Sequence, residues 1–209
     1  MQRAPILATN DPGIIRTADC IRSGGVVVYP TETVYGLGAD PFNPIPFERI
    51  FSVKGRETEK GLILLIRGRR DLDALVANIP RTAEVLMDAF WPGPLTLVFP
   101  ASPSLPEHLP GSSSTIALRM SDAPVASALL SHVGGPITST SANLSGQPPA
   151  RSAQDAANVL GDRVDLILDG GTSPDSCPST LVDVSVPNPR ILRPGRIAET
   201  DIRQVLTSR

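Results

Sequence analysis

The chain is predicted to be an α/β protein with a mixed sheet and flanking helices, on three observations. Strand-length apolar runs alternate with helix-periodic segments along its whole length, the pattern of helices packed on a sheet. Several strand-to-strand steps are too short to hold a crossover helix, so some neighbouring strands must run antiparallel. With 209 residues, 41% of them apolar, and no repeat or low-complexity linker, one domain with a real core is expected over 1–209. Its centre is placed at about 12–195, with a short arm at 196–209.

The elements follow in order. Asp11-Pro12 offers a cap and a proline at the first helical position, and Ile14, Ile15, Ala18 and Ile21 recur at helical spacing until Gly24-Gly25. Val26 to Tyr29 is a short apolar strand that Pro30 ends, and Thr31-Glu32-Thr33 then leads as a polar loop to Gly36 and Gly38. Phe47, Ile50, Phe51 and Lys54 mark a short helix, Leu62 to Ile66 a buried strand, and Leu72 to Ala77 and Thr82 to Phe90 two helical pieces. Trp91-Pro92-Gly93-Pro94 turns into a strand at Leu95 to Phe99. Thr115 to Arg119 alternates as a strand, Ser121 or Asp122 caps a helix running to about Val133, and Ile137 opens a strand that dissolves into Thr138-Ser139-Thr140-Ser141. Ser152 and Asp155 form a capping box for a helix to Leu160. Strands at Val164 to Leu168, Leu181 to Val184 and Arg190 to Leu192 and a helix at Asp201 to Leu206 complete the chain, and the arm after Asp183 is expected to lie over the site.

Composition excludes several classes. Pro and Gly number 22 and 17, too few for a disordered tail protein. A net charge of −2 provides no global field toward nucleic acid or an anionic membrane. Cys20 and Cys177 are too few and too distant for a disulfide framework or a zinc site, and no apolar run reaches the ~20 residues of a membrane span. Residues 1–10 hold no charged-then-apolar leader, so a reducing cytoplasm is expected. The phosphate-loop pattern is absent, and two isolated histidines, His108 and His132, argue against a histidine triad or metal cluster.

The polar segments carry the remaining chemistry. Of 19 basic residues only Lys54 and Lys60 are lysine. With Arg56 they put three cations on a glycine-punctuated loop, which can wrap a polyphosphate or, with Glu57 and Glu59 neutralising them, be a solvated loop; charge alone favours the second. Ser141-Ala142-Asn143-Leu144-Ser145-Gly146 offers hydroxyl, amide and backbone donors suited to a phosphate or base edge, and equally reads as an ordinary Ser/Gly loop. Arg119 and Arg193, at strand ends, suit either surface ion pairs or carboxylate and phosphate clamps. Trp91 reads as a structural anchor.

Taken in order, the motifs carry a resemblance. They are Tyr29-Pro30-Thr31-Glu32-Thr33-Val34-Tyr35-Gly36-Leu37, Lys54-x-Arg56, Trp91-Pro92-Gly93-Pro94-Leu95-Thr96, Ala117-Leu118-Arg119-Met120, Ser141 to Gly146, Ser179-Thr180-Leu181-Val182-Asp183 and Leu192-Arg193-Pro194-Gly195. Together they resemble the YrdC/TsaC family of threonylcarbamoyl-AMP synthases, in its short single-domain form. The resemblance implies a twisted mixed sheet with a concave, positively lined cavity. It also implies synthesis of threonylcarbamoyl-adenylate and pyrophosphate from L-threonine, bicarbonate and ATP, for the t6A modification of tRNA. Carried over by position, Lys54 and Arg56 would be catalytic. Lys54, Arg56, Lys60, Thr115, Ser141, Asn143 and Arg193 would bind ATP, and Thr31, Thr33, Arg119, Ser139 and Ser179 would bind threonine. Mg²⁺ would arrive with ATP, with no metal held by the protein itself. The short form is expected to hand its product to partner proteins that load tRNA. Longer members carry a histidine near threonine at the position of Leu65, a departure here. The alternatives are a paralogue acting on another carbamoyl-adenylate or hydrolysing the same one, and a module binding double-stranded RNA or tRNA.

Overall fold

A computed structural model describes residues 3–55, 61–110, 114–173 and 177–207. Arg56 and Lys60 lie outside the described residues. The order is β1 (Ile6–Ala8), α1 (Asp11–Arg22), β2 (Val27–Tyr29), β3 (Gly36–Gly38), α2 (Pro44–Lys54), β4 (Ile63–Leu65), α3 (Leu72–Leu75), α4 (Arg81–Phe90), β5 (Leu95–Pro100) and β6 (Thr115–Arg119). Then come α5 (Pro124–Val133), β7 (Ile137–Thr138), β8 (Thr140–Ser141), α6 (Ala153–Leu160), β9 (Leu166–Asp169), β10 (Thr180–Asp183), β11 (Arg190–Arg193) and α7 (Glu199–Thr207).

The strands form a five-stranded sheet, β1-β9-β2-β3-β8, and a six-stranded sheet, β11-β10-β5-β6-β4-β7. Each mixes parallel and antiparallel pairs, as the short connections required: β2 runs parallel to β9 and antiparallel to β3, and β4 runs parallel to β6 and antiparallel to β7. The division into two sheets differs from the one sheet expected. Its cause is local, because only Ser139 separates β7, in the six-stranded sheet, from β8, in the five-stranded one. Thr138 stitches the crossing. Its Oγ1 donates to Leu37 O at 3.0 Å and accepts from Ala39 N at 2.9 Å, while Ser139 N donates back to Ile63 O at 2.7 Å.

Strand alternation divides the apolar residues between two cores. Val26 and Val28 face a large cluster with Phe47, Ile50, Leu64, Leu97 and Leu118. Val27 and Tyr29 face a second one with Ile14, Ile21, Leu65, Leu129 and Ile137, under α1 and α5. Each such aliphatic side chain, fully buried, contributes about 1.5–3 kcal/mol of transfer free energy. Tyr29 keeps a polar tip inside, its hydroxyl donating to Thr138 O at 3.0 Å, and burial pushes its phenol well above the ordinary range.

Three local expectations are corrected. The α1 cap is Asn10, whose Oδ1 accepts from Gly13 N at 3.0 Å; Asp11 occupies the first turn, where its charge complements the helix dipole. Helix α5 is capped by neither Ser121 nor Asp122, because Pro124 fixes the helical start two residues later. Gly36 to Gly38 is strand β3 rather than loop, and β1, three residues long, is too short to show a periodicity.

Candidate active site

The crossing from β7 to β8 opens a cavity of about 770 Å³, within the size range of small-molecule sites. One wall is built on Lys54. The apolar stripe of α2, Phe47, Ile50 and Phe51, docks on the core and carries Lys54 inward to 4% exposure. Gly55 then ends the helix at φ 60°, a left-handed conformation that favours glycine. Lys54 Nζ donates to Ser141 O at 2.6 Å, Asn143 O at 3.2 Å and Asn143 Oδ1 at 2.9 Å. Ser141 Oγ donates to the same Oδ1 at 2.6 Å, Asn143 Nδ2 to Gln147 O at 2.6 Å, and Ser145 N to Lys54 O at 2.9 Å. A compact ammonium can serve three acceptors around one point, which a planar guanidinium on a longer stem cannot do from this position.

The facing wall is built on Arg119, the last residue of β6, 4% exposed. Its Nη1 donates to Thr33 Oγ1 at 3.0 Å, its Nε to Gly93 O at 3.3 Å and its Nη2 to Glu32 Oε1. Thr31 Oγ1 donates to Val34 O at 2.7 Å, so in its 3.0 Å contact with Thr33 Oγ1 the Thr33 hydroxyl is the donor. Arg119, Thr33 and Thr31 thus form one directed relay. The turn after Trp91 brings Gly93 here, with Gly93 N donating to Met120 O at 2.7 Å. Trp91 is the anchor expected, buried against Phe99 with its Nε1 donating to Leu95 O at 2.7 Å.

The C-terminal arm supplies the third side. Arg193, ending β11, donates from Nη2 to Ser179 O at 2.9 Å and Oγ at 3.2 Å, and Ser179 Oγ contacts Thr96 Oγ1 at 2.7 Å. Arg193 Nε is buried with no hydrogen-bond partner among the described residues. Burial, then the neighbouring Arg119 charge, lowers the pKa of Arg193. Two guanidinium groups that repel one another, one with an unspent donor, fit an anion placed between them. Gly195 makes the arm's approach possible, since a Cβ there would lie 2.4 Å from Thr180 N and 2.5 Å from Pro178 O.

Thr31, Thr33, Lys54, Arg119, Ser139, Ser141, Asn143, Ser179 and Arg193 all line this cavity. Thr115 does not: it opens β6 opposite Pro100, four residues from Arg119, about 13 Å along the strand. The structure therefore does not bring it to the others. Leu65 is fully buried in the second core and lines no part of the cavity. Among the described lining residues there is no carboxylate. Glu32, behind Arg119, was not singled out from the sequence. Its signal was an acid between two threonines that the motif already marked.

Residues 19–195 match the family model described as "Telomere recombination", which covers the Sua5, YciO and YrdC proteins. The chain belongs to the Sua5/YciO/YrdC family. It is 40% identical over 201 residues to a threonylcarbamoyl-AMP synthase of Bacillus subtilis, covering 96% of this chain and 58% of that protein. It is also 41% identical over 182 residues to a threonylcarbamoyl-AMP synthase of Vibrio cholerae, covering 86% of this chain and 96% of that one. Its fold superposes with a TM-score of 0.93 on Pyrococcus abyssi Sua5 complexed with L-threonine, at 37% identity over 98% of this chain and 61% of that chain. This Sua5/YciO/YrdC chain thus spans little more than half of two of these relatives and nearly all of the third.

Proposed function

We propose that the chain is a threonylcarbamoyl-AMP synthase, converting L-threonine, bicarbonate and ATP into threonylcarbamoyl-adenylate, pyrophosphate and water. The observation that carries this reading is a single cavity lined by Lys54, Arg119 and Arg193 among hydroxyls and an amide, with no carboxylate in the described wall. Such a wall suits two anionic reactants, the carbamate and the triphosphate, that must be brought together against their repulsion. The names of the Bacillus and Vibrio relatives and the L-threonine complex of the Pyrococcus one support threonine and ATP as substrates.

The Lys54 wall, the Arg119 wall and the C-terminal arm divide the work. Lys54, Ser141, Asn143 and Arg193 receive the nucleotide, with Arg56 and Lys60 added on the resemblance alone. Thr31, Thr33, Ser139 and Ser179 surround threonine, whose carboxylate meets Arg119. The threonine amine condenses with bicarbonate to a carbamate with loss of water, and the carbamate oxygen attacks the α-phosphorus as pyrophosphate leaves. The protein's part is alignment and charge neutralisation, led by Lys54 and Arg56. A Mg²⁺ ion would come with the triphosphate, held by phosphate oxygens and water because the described lining holds no carboxylate, and would neutralise phosphate charge. Release of the labile adenylate to partner proteins acting on tRNA, in the cytoplasm, completes the reading. No described helix is long and apolar enough to cross a membrane.

The test is to incubate the pure protein with ATP, bicarbonate and labelled L-threonine, with L-serine as control. Threonine-dependent pyrophosphate and a carbamoyl-adenylate are expected; pyrophosphate release indifferent to threonine would overturn the assignment.

A further inference from the structure

We infer that Glu32 is a positioning residue for Arg119, holding the outer edge of the guanidinium so that its Nη1 edge stays presented to the cavity. This rests on the reading of Arg119 as the group that meets the substrate carboxylate. Glu32 does not line the cavity, whereas Arg119 and the two flanking threonines do. Its carboxylate is committed on both oxygens: Oε1 accepts from Arg119 Nη2, and Oε2 accepts from Ser121 Oγ. Its side chain is 16% exposed against 5% for Arg119, so the pair is shielded from bulk water. Its backbone carbonyl accepts from Arg196 Nη1 at 2.7 Å.

Each contact reaches a different part of the site. Through Arg119 it meets the end of β6, through Ser121 the segment entering α5, and through Arg196 the arm that carries Arg193 three residues earlier. Glu32 therefore ties three chain segments together from outside the cavity. A guanidinium at the end of a flexible side chain would otherwise sample several rotamers, and a substrate carboxylate would have to freeze them on binding. A bound internal carboxylate removes that entropy in advance. Nε is spent on Gly93, and one N–H each of Nη1 and Nη2 on Thr33 and Glu32, so one N–H on each terminal nitrogen is left to a ligand, and Glu32 helps fix the direction in which that pair points. Asp122, exposed beside the pair, has its carboxyl raised by desolvation and then by the Glu32 charge.

The experiment compares wild type, Glu32→Gln and Glu32→Asp in two readouts. The first is the ¹⁵N NMR signal of the Arg119 guanidinium, assigned by its loss in Arg119→Lys. The second is the steady-state rate of pyrophosphate release with threonine and ATP varied separately. We expect a slowly rotating, slowly exchanging guanidinium in wild type that becomes averaged in Glu32→Gln. The threonine KM should rise about 10- to 100-fold, as expected for loss of a charge-assisted contact, while kcat and the ATP KM move less than about threefold. Glu32→Asp, which keeps the charge, should recover part of both signals. A guanidinium equally restrained in Glu32→Gln, or losses spread evenly over kcat and both KM values, would overturn the inference. Should Glu32→Gln fail to fold, Ser121→Ala removes one of the two supports and should shift both readouts the same way by less; unshifted readouts there count against the inference. If wild type itself releases no threonine-dependent pyrophosphate, the proposed activity falls, and the guanidinium signal alone decides for or against Glu32.

Discussion

On one wall of the cavity Lys54 gathers the protein around itself; on the other, Arg119 is gathered by the protein. Three oxygens of the 141–143 segment converge on the lysine, so the ammonium shapes the loop that offers Ser141 and Asn143. Arg119 instead has its orientation set from outside, by a carboxylate, a threonine hydroxyl and the Gly93 carbonyl. Both cations are equally buried, at 4% exposure. The difference lies in what their loss should do. Removing the lysine should unmake a wall, whereas changing the arginine should leave the wall standing and spoil one direction of approach.

The largest effect is expected at Lys54. Lys54→Met removes the ammonium from the three oxygens gathered around it and its charge from the phosphate side, so turnover should fall about 10²- to 10³-fold. Lys54→Arg should not rescue it, because the guanidinium cannot reproduce three bonds from one point. A rate within threefold of wild type in Lys54→Arg would show that charge, not geometry, is what this wall needs. Next is Gly195→Ala, where the new methyl must push the C-terminal arm off the backbone at Thr180 and Pro178. Arg193 moves with it, and ATP affinity should fall about tenfold or more with threonine affinity less affected. Unchanged affinity for both would detach the arm from the nucleotide wall.

A smaller effect concerns pH and belongs to the arginine wall. Burial alone would raise the Glu32 carboxyl, but the Arg119 charge and the hydrogen bonds from Ser121 and Arg119 outweigh it and hold it below the ordinary 4.5. The folded state therefore takes up this proton less readily than the unfolded chain. The stability it supplies is complete above about pH 4.5 and disappears as pH falls through the lower folded value. In urea unfolding, wild type should exceed Glu32→Gln by about 1–3 kcal/mol near pH 6.5, with the gap narrowing below pH 4.5. A gap that stays constant down to pH 3 would mean that Glu32 acts through packing alone.

The two walls also differ in how far the sequence reveals them. Lys54 stood out through its rarity and Ser141 to Asn143 through their hydroxyls and amide, but their union depends on a strand that changes sheets at Ser139, and no periodicity announces such a crossing. Arg119 was visible as a charge ending an alternating strand. Its support was not: Glu32, Ser121 and Arg196 are distant in the chain, and a carboxylate looks the same in sequence whether it is solvated or buried against a guanidinium. The α5 cap failed because Pro124 sets the helix start, so the Ser121 hydroxyl, which donates to Glu32, accepts from Ala123 N ahead of the helix rather than from its first turn. Thr115 is a different case, a position carried over from the family that the strand holds about 13 Å from Arg119 and outside the described cavity lining.

The most direct test of the two-wall account is a crossed calorimetric titration, ATP and L-threonine each into Lys54→Met and Arg119→Lys. The account predicts that Lys54→Met loses ATP binding more than threonine binding and that Arg119→Lys does the opposite, each by about tenfold or more. Equal losses of both ligands in both variants would contradict it, and would make the cavity one undivided anion site.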